Sequence, residues 1–229
     1  AAWAKFPPMN PPSNQKQFPL PDPCPDQDAL KRIGASVRKR IQGDKSVHRL
    51  QTPIAEIYAV GDFLTPKECE GLMRRVDAVA KPSTVYGNGE DQAFRTSYSG
   101  NFNGEDPLVK TVERRIDDLL GLPHAIGERV QGQRYLPGQE FKPHFDWFHP
   151  HDETCWPMER GRGGQRSWTA MAFLNDVEEG GDTHFTHARL SVTPKQGALL
   201  FWNNADLYGY PNEDTMHAGT PVLKGAKYV

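Results

Sequence analysis

Apolar side chains recur every three or four positions in three stretches of the first half of the chain, which is the spacing of one face of an α-helix. In the first stretch the apolar positions are Leu30, Ile33, Val37 and Ile41. Asp26 is its predicted N-cap and Gly43 its predicted end. Residues 1–25 are proline-rich without apolar periodicity, so we expect an extended arm there.

The second helix is predicted from a capping box. Thr65 and Glu68 have the box spacing, and Pro66 stands at the first helical position. Its predicted buried face consists of Cys69, Leu72, Met73, Val76 and Val79. A strand over residues 54–60 precedes it, and the polar, turn-rich stretch 81–94 predicts a loop after it.

The third helix begins at Asp106-Pro107 and is stopped by Gly121 and Pro123. From Glu128 onward the helical period gives way to short strands between turn residues. The predicted strands are 129–135, 141–148, 167–174, 182–186, 190–193, 197–203 and 221–229. Such a run favours a sandwich or barrel, of which a jelly roll is one form. We therefore predict an α+β fold with a double-stranded β-helix (jelly-roll) core and the N-terminal helices packed on one sheet.

Composition narrows the class of protein. The net charge is −2, with no basic block that would suit nucleic acid. The apolar runs are too short to span a bilayer. Cys24, Cys69 and Cys155 form no C-x-x-C pair and no disulfide framework, which favours a reducing compartment, and we expect a cytoplasmic protein. The start lacks Met and a signal sequence, so targeting is not decided.

The candidate chemistry centres on His144 and Asp146. Alternate residues of a strand share a face, so the predicted strand 141–148 would point both side chains the same way. His217, far along the chain, would complete a 2-His-1-carboxylate set, which holds Fe(II) and leaves positions open for substrate and dioxygen. Lys227 follows on the predicted last strand, where a buried ammonium group would call for an anion.

The order of these residues resembles the prolyl 4-hydroxylase family of Fe(II)/2-oxoglutarate dioxygenases. The resemblance covers roughly residues 48–229, and we divide the chain into an N-terminal extension with a helix, 1–47, and a dioxygenase domain, 48–229. Its motifs are Tyr135-x-x-Gly138-x-x-Phe141-x-x-His144-x-Asp146, Arg166-x-x-Thr169, Phe173-Leu174-Asn175-Asp176, Gly180-Gly181-x-Thr183, Pro194-x-x-Gly197 and His217-x-x-x-Pro221-x-x-x-Gly225-x-Lys227. Upstream, Arg95-x-Ser97 also looks like that family.

The resemblance implies roles for individual residues. The implied metal ligands are His144, Asp146 and His217. The implied binding residues for 2-oxoglutarate are Lys227, Tyr135 and Thr183. Arg166 matches an arginine beside the substrate. The implied cofactors are Fe(II) and the cosubstrate 2-oxoglutarate, with ascorbate as a candidate reductant, and the implied substrate is a peptidyl proline. One departure is Tyr228, where the family usually has tryptophan.

Two other functions remain open at this point. A related oxygenase could hydroxylate another residue or a small molecule, because the metal set and Lys227 do not depend on that choice. A non-enzymatic jelly-roll binder is the alternative from a different class. His149, His151 and Cys155 have no common zinc spacing and are assigned to the loop 147–166. His184 and His187 are interpreted as surface or supporting residues. The oligomeric state is not decided by the sequence.

Overall fold

The fold is known from a computed structural model, which describes residues 26–52, 55–83, 94–148 and 163–229. Three helices lie in its first half, α1 Gln27–Ile41, α2 Pro66–Val79 and α3 Pro107–Leu120. The predicted N-terminal arm, most of the loop 81–94 and most of the loop 147–166 fall outside the described residues. None of the described helices is long and apolar enough to cross a membrane.

The helix ends follow the predicted capping chemistry in two cases. In α2, Thr65 Oγ1 accepts a hydrogen bond from the Glu68 amide, and the Glu68 carboxylate accepts one from the Thr65 amide. In α3, Asp106 caps the first turn and Gly121 ends the helix at a φ of 67°.

The prediction that Asp26 caps α1 was wrong. Asp26 adopts a left-handed conformation with a φ of 63°, and its side chain caps nothing in the helix. Its carboxylate accepts instead from the backbone amide of Gln165, at 3.2 Å. The helix ends at Ile41 with Gln42 as its C-cap, one residue before the predicted Gly43.

The described residues contain fourteen strands. In chain order they are β1 Val47–Arg49, β2 Ile57–Val60, β3 Lys81–Pro82, β4 Tyr98–Asn101, β5 Gln131–Tyr135, β6 Phe141–His144, β7 Trp168–Ala172, β8 Glu179–Gly180, β9 Thr183–Phe185, β10 Leu190–Val192, β11 Leu199–Asn203, β12 His217–Gly219, β13 Val222–Lys224 and β14 Lys227–Tyr228.

Two four-stranded antiparallel sheets form the β core. One has the order β1-β2-β11-β7 and the other β10-β9-β12-β6. Strand β11 is buried along its whole length, since it lies between the helices and the second sheet. Leu199 and Phe201 belong to the core shared with the helices, whereas Leu200 and Trp202 pack with Phe185 of β9. This arrangement confirms the predicted α+β class with a jelly-roll core and helices on one sheet.

A third sheet, in the order β14-β5-β4-β3, extends the helix side of the core. Helix α2 packs closely against it at Gly132, where a Cβ atom would lie 2.6 Å from Val76 Cγ2. This sheet joins the end of the described chain to its middle, because Lys227 of β14 pairs with Tyr135 of β5. A small fourth sheet pairs β13 with β8.

Several strand boundaries differ from the predictions. The predicted strand 141–148 ends at His144. The predicted strand 221–229 is broken into β13 and β14 around Gly225, whose φ is 84°. The pattern also missed β1, β3, β4, β8 and β12, which are short and carry little apolar alternation. Their pairing comes from neighbouring strands and not from their own composition.

Candidate active site

The imidazoles of His144 and His217 meet across two neighbouring strands. The two residues are directly paired between β6 and β12, and their ring centroids lie 4.3 Å apart. Each ring is oriented by its Nδ1 atom, which lies 2.8 Å from the Lys142 carbonyl in His144 and 3.0 Å from the Thr215 carbonyl in His217. With Nδ1 donating to a carbonyl, each Nε2 keeps its lone pair for a metal ion.

Asp146 completes the group, although not by the predicted strand geometry. Because β6 ends at His144, Asp146 lies in the bend that follows the strand. Its Oδ1 atom nevertheless lies 3.8 Å from the Nε2 atom of His144 and 3.8 Å from that of His217. Thr169 Oγ1 donates to the other oxygen, Oδ2, at 2.6 Å.

The protonation states of His144 and Asp146 suit a metal ion. Burial, reinforced by the nearby His217, lowers the pKa of His144 to about 4, so its ring is neutral at pH 7. Burial alone would raise the pKa of Asp146, but the neighbouring imidazoles and the Thr169 hydroxyl outweigh it and hold this pKa below the ordinary value. At pH 7 the site therefore holds the Asp146 carboxylate beside the neutral imidazole of His144.

These donor atoms fit Fe(II). The ligand atoms of His144, Asp146 and His217 all lie within 4.8 Å of one another, and no other group of three His, Cys, Asp or Glu residues in the described ranges does so. Two imidazoles and one carboxylate on one side of an ion form the facial arrangement of non-haem iron oxygenases, with positions open on the other side. The structure thus brings the three predicted ligands together.

Lys227 lies in the same core as a buried cation. Its side chain is 3 % exposed, and its Nζ atom donates to Thr183 Oγ1 at 3.4 Å. The ammonium group lies 5.5 Å from the ring centre of Tyr135 and 5.7 Å from that of Phe173. Burial lowers the pKa of Lys227 to about 8. The carboxylate of Asp182 acts on this ammonium group through space and opposes the lowering of its pKa, but among the described residues no carboxylate forms an ion pair with Lys227.

Comparison with known proteins places this geometry in a family. Residues 130–229 match the 2OG-Fe(II) oxygenase superfamily. Prolyl 4-hydroxylase 5 of Arabidopsis thaliana is 36% identical over 209 residues, which are 77% of this chain and 66% of that protein. The mouse prolyl 4-hydroxylase subunit alpha-1 is 38% identical over 176 residues, 76% of this chain and 31% of that subunit. The chain belongs to the prolyl 4-hydroxylase family.

A solved structure supports the same assignment. The viral collagen prolyl hydroxylase of Paramecium Bursaria Chlorella virus-1, in its 2OG complex, aligns with a TM-score of 0.59 and 28% identity. The alignment covers 75% of this chain and 91% of the viral one. The chain spans about two thirds of the plant relative and about a third of the mouse subunit.

Of the other residues predicted for this prolyl 4-hydroxylase site, Tyr135 and Thr183 both lie beside Lys227. Thr183 is buried and contacts the ammonium group directly. Tyr135 presents its ring to Lys227, while its hydroxyl donates to Gln133 Oε1 at 2.8 Å. Burial raises the pKa of Tyr135, so the hydroxyl keeps its proton.

Arg166 lies at the edge of the site, next to the metal-binding group. Its guanidinium forms a two-pronged ion pair with Glu128, at 2.5 and 2.8 Å, and donates to the Asp146 carbonyl at 3.2 Å. It also covers the ring of Phe148 at 4.5 Å. Arg166 thus contacts the backbone of the candidate metal ligand Asp146.

The remaining histidines have structural partners. His184 Nδ1 lies 2.8 Å from Ser191 Oγ, and His187 Nδ1 lies 2.8 Å from the Glu213 carbonyl. Each histidine is therefore held by a hydrogen bond, His184 within β9 and His187 in the turn that follows it. This agrees with their interpretation as surface or supporting residues. His149, His151 and Cys155 fall outside the described residues.

Asn175 is a supporting residue whose role the sequence did not reveal. Its side-chain amide donates to the Ala226 carbonyl at 2.7 Å and accepts from the Tyr228 amide at 2.8 Å. These two peptide groups flank Lys227, so one side chain holds the strand β14 on both sides of the lysine. The motif Phe173-Leu174-Asn175-Asp176 was part of the family resemblance, but a backbone contact of this kind has no sequence pattern of its own.

Phe141 and Arg95 are a second pair that the sequence did not assign to the site. The ring of Phe141 stacks on the imidazole of His144, with centroids 3.6 Å apart. The guanidinium carbon of Arg95 lies over the Phe141 ring, 4.8 Å from its centre. The stack restrains the rotation of the His144 ring about its axis.

Proposed function

We propose that this chain is an Fe(II)- and 2-oxoglutarate-dependent dioxygenase that hydroxylates prolyl residues in a peptide or protein. The observation that carries the proposal is the combination of the three candidate metal ligands with the buried Lys227, which forms no ion pair within the described part of the chain. A buried ammonium group that no carboxylate contacts directly is costly, so a site of this kind favours a ligand that brings a carboxylate.

In this proposal His144, Asp146 and His217 hold the iron through their Nε2 and Oδ1 atoms. Lys227 binds the remote carboxylate of 2-oxoglutarate by a charge-assisted hydrogen bond, and Thr183 orients the ammonium group. Dioxygen activation and oxidative decarboxylation are the chemistry supplied by Fe(II) and 2-oxoglutarate when they are bound. The balanced reaction converts 2-oxoglutarate, dioxygen and a C–H bond into succinate, carbon dioxide and a C–OH group.

The protein itself provides orientation and a dry environment. Phe185 and Trp202 pack around His217, with ring centroids at 5.6 and 4.8 Å, and both are buried. Such walls keep bulk water from the reacting groups, which protects the substrate reaction from side reactions. Positioning of the target C–H bond would then fall to the outer edge of the site, where Arg166 and Phe148 lie.

The substrate class is supported by the family. The relatives at 36% and 38% identity are prolyl 4-hydroxylases by name, and the viral structure is that of a collagen prolyl hydroxylase. An extended proline-containing peptide is stiff and loses little entropy on binding, so a shallow groove can hold it. Ascorbate as reductant and the cytoplasmic location stay predictions.

The substrate proposal is tested by supplying proline-rich peptides, free proline and proline-free peptides to the enzyme with Fe(II) and 2-oxoglutarate. We expect a gain of one oxygen atom in the proline-rich peptides alone, by mass spectrometry, with matching succinate release. Hydroxylation of free proline or of another residue would assign a related oxygenase. Peptide binding without any succinate would point to the non-enzymatic binder.

A further inference from the structure

Two side chains that the proposed reaction does not use hold Asp146 through consecutive hydrogen bonds. Thr169 Oγ1 lies 2.6 Å from Asp146 Oδ2, and Asn204 Nδ2 lies 2.9 Å from Thr169 Oγ1. Thr169 belongs to β7, and Asn204 directly follows β11, the strand that pairs with β7. We infer that Thr169 and Asn204 are positioning residues, which hold Asp146 so that it binds the metal through Oδ1 alone.

The direction of the hydrogen bonds follows from simple counting. The carboxylate of Asp146 can only accept, and the hydroxyl of Thr169 has one hydrogen to donate. That hydrogen goes to Asp146 Oδ2, so the hydroxyl must accept its second bond. The NH₂ group of Asn204 is the donor that supplies it. The amide therefore fixes the rotation of the Thr169 hydroxyl, and the hydroxyl fixes the carboxylate.

The two carboxylate oxygens of Asp146 therefore have different contacts. Oδ2 is occupied by Thr169, while Oδ1 faces the Nε2 atoms of His144 and His217 at 3.8 Å each. A carboxylate bound through one oxygen leaves one more coordination position open than a carboxylate bound through both. Open positions are what a site for 2-oxoglutarate and dioxygen needs.

Asn204 is itself firmly placed. Its backbone amide donates to the Ser167 carbonyl at 2.8 Å, and its carbonyl accepts from the Asn212 amide at 2.9 Å. Its Oδ1 atom is buried and has no hydrogen-bond partner among the described residues. An unpaired buried acceptor destabilises the folded state. An apolar side chain would avoid this cost, so the bond to Thr169 is what the amide contributes.

Asn203, the residue before Asn204, links these hydrogen bonds to helix α1. Asn203 donates from its side chain to Glu56 Oε2 at 2.7 Å, and Arg38 of α1 donates to the same oxygen at 2.9 Å. Glu56 is 4 % exposed, so this contact lies inside the core. Helix α1 lies outside the residues 130–229 that match the oxygenase superfamily. It thus supports the end of β11 from which Asn204 reaches Thr169.

The test is metal affinity, measured by titrating Mn(II) into the apoprotein in a calorimeter, because this readout does not depend on turnover. The inference rests on the proposed metal site, so Asp146→Ala is measured alongside and should lose binding. Thr169→Val removes the hydroxyl at nearly constant volume. We expect it to weaken Mn(II) binding by about 10- to 100-fold. Thr169→Ser keeps the hydroxyl and should retain most of the affinity.

Two further variants complete the design. Thr111→Val makes the same substitution in α3, where the hydroxyl donates to the Pro107 carbonyl, and should leave Mn(II) affinity unchanged. Asn204→Ala removes the donor with the Thr169 hydroxyl in place, and should weaken binding in the same direction but less. Circular dichroism of the apoproteins shows whether each variant folds. If Thr169→Val does not fold, the Mn(II) affinity of Asn204→Ala decides whether the positioning role holds.

The outcomes separate the inference from the proposed function. If the native protein binds no Mn(II), the metal site is wrong and the inference falls with it. If the native protein binds Mn(II) and Asp146→Ala does not, the metal site stands. Unchanged affinity in both Thr169→Val and Asn204→Ala would then overturn the positioning role alone. Equal losses in Thr169→Val and Thr169→Ser would also overturn it, because the hydroxyl would not be what matters.

Discussion

His144 and His217 are direct cross-strand partners, although most of the β core lies between them in the sequence. Residues opposite each other in an antiparallel pair have their Cβ atoms about 4.5–5.5 Å apart, which brings two imidazoles within reach of one ion. Each ring is then turned by a backbone carbonyl two residues before it, Lys142 for His144 and Thr215 for His217. The metal site is therefore built into the sheet, and only the carboxylate comes from outside it.

Replacing Lys227 tests the cosubstrate site. Lys227→Ala would leave the remote carboxylate of 2-oxoglutarate without its partner, a loss of about 3–5 kcal/mol. We expect the KM for 2-oxoglutarate to rise more than about a hundredfold. Lys227→Arg restores the charge but not the length and should rescue only in part. An unchanged 2-oxoglutarate dependence in Lys227→Ala would remove the lysine from the site.

The pH dependence of 2-oxoglutarate binding follows from the same residue. Burial lowers the pKa of Lys227 to about 8, so the ammonium group is charged below that pH and loses its proton above it. Affinity should be level up to about pH 8 and then fall, approaching about tenfold per pH unit, until the pKa of the complex is reached. Lys227→Arg keeps its charge and should lack this decline. A decline that persists in the arginine variant would assign the titration to another group.

Asn175→Ala tests whether the strand that carries Lys227 needs its side-chain clamp. Two hydrogen bonds to the backbone would be lost, each contributing about 1 kcal/mol. We expect the KM for 2-oxoglutarate to rise about tenfold or more, with Mn(II) affinity unchanged. Asn103→Ala is the matched control, because Asn103 accepts from the Glu105 amide in an exposed turn before α3. Equal effects of the two variants would show that the clamp has no special role.

Arg166→Ala separates substrate binding from cosubstrate binding. The guanidinium of Arg166 contacts Glu128 and the carbonyl of the candidate metal ligand Asp146, whereas the hydroxyl that contacts Lys227 is that of Thr183. We therefore expect the variant to raise the KM for a proline-rich peptide much more than the KM for 2-oxoglutarate. Steady-state kinetics with each substrate varied in turn measure both. A larger effect on 2-oxoglutarate would mean that Arg166 acts through the metal ligand Asp146.

Much of the fold was predictable because it follows from local patterns. The capping box at Thr65 and Glu68 and the cap at Asp106 gave correct helix starts, since both are chemical signals carried by a few adjacent residues. The strand β11 was also predicted, as an apolar run of the right length. The short strands β1, β3, β4, β8 and β12 were missed, because their stability comes from pairing with other strands and not from their own composition.

The candidate site was likewise predictable where it depends on residue type and order, and not where it depends on contacts between distant segments. Its ligand residues could be chosen from their type and order, but the reason for Asp146 was wrong, because the strand ends at His144 and the carboxylate arrives from a bend. The contacts of Thr169, Asn204 and Asn175 were not foreseeable. Each joins segments far apart in the chain by one or two hydrogen bonds, and such bonds leave no periodic pattern in a sequence.

We expect His144, Asp146 and His217 to bind Fe(II) and the turnover of 2-oxoglutarate to depend on all three. The most direct measurement is succinate release by the native protein and by Asp146→Ala, each with Fe(II), 2-oxoglutarate and a proline-rich peptide. We predict release by the native protein that stops when Fe(II) is chelated, and none by Asp146→Ala, with the same circular dichroism spectrum for both. Full activity in folded Asp146→Ala would contradict the assignment of Asp146 as an iron ligand.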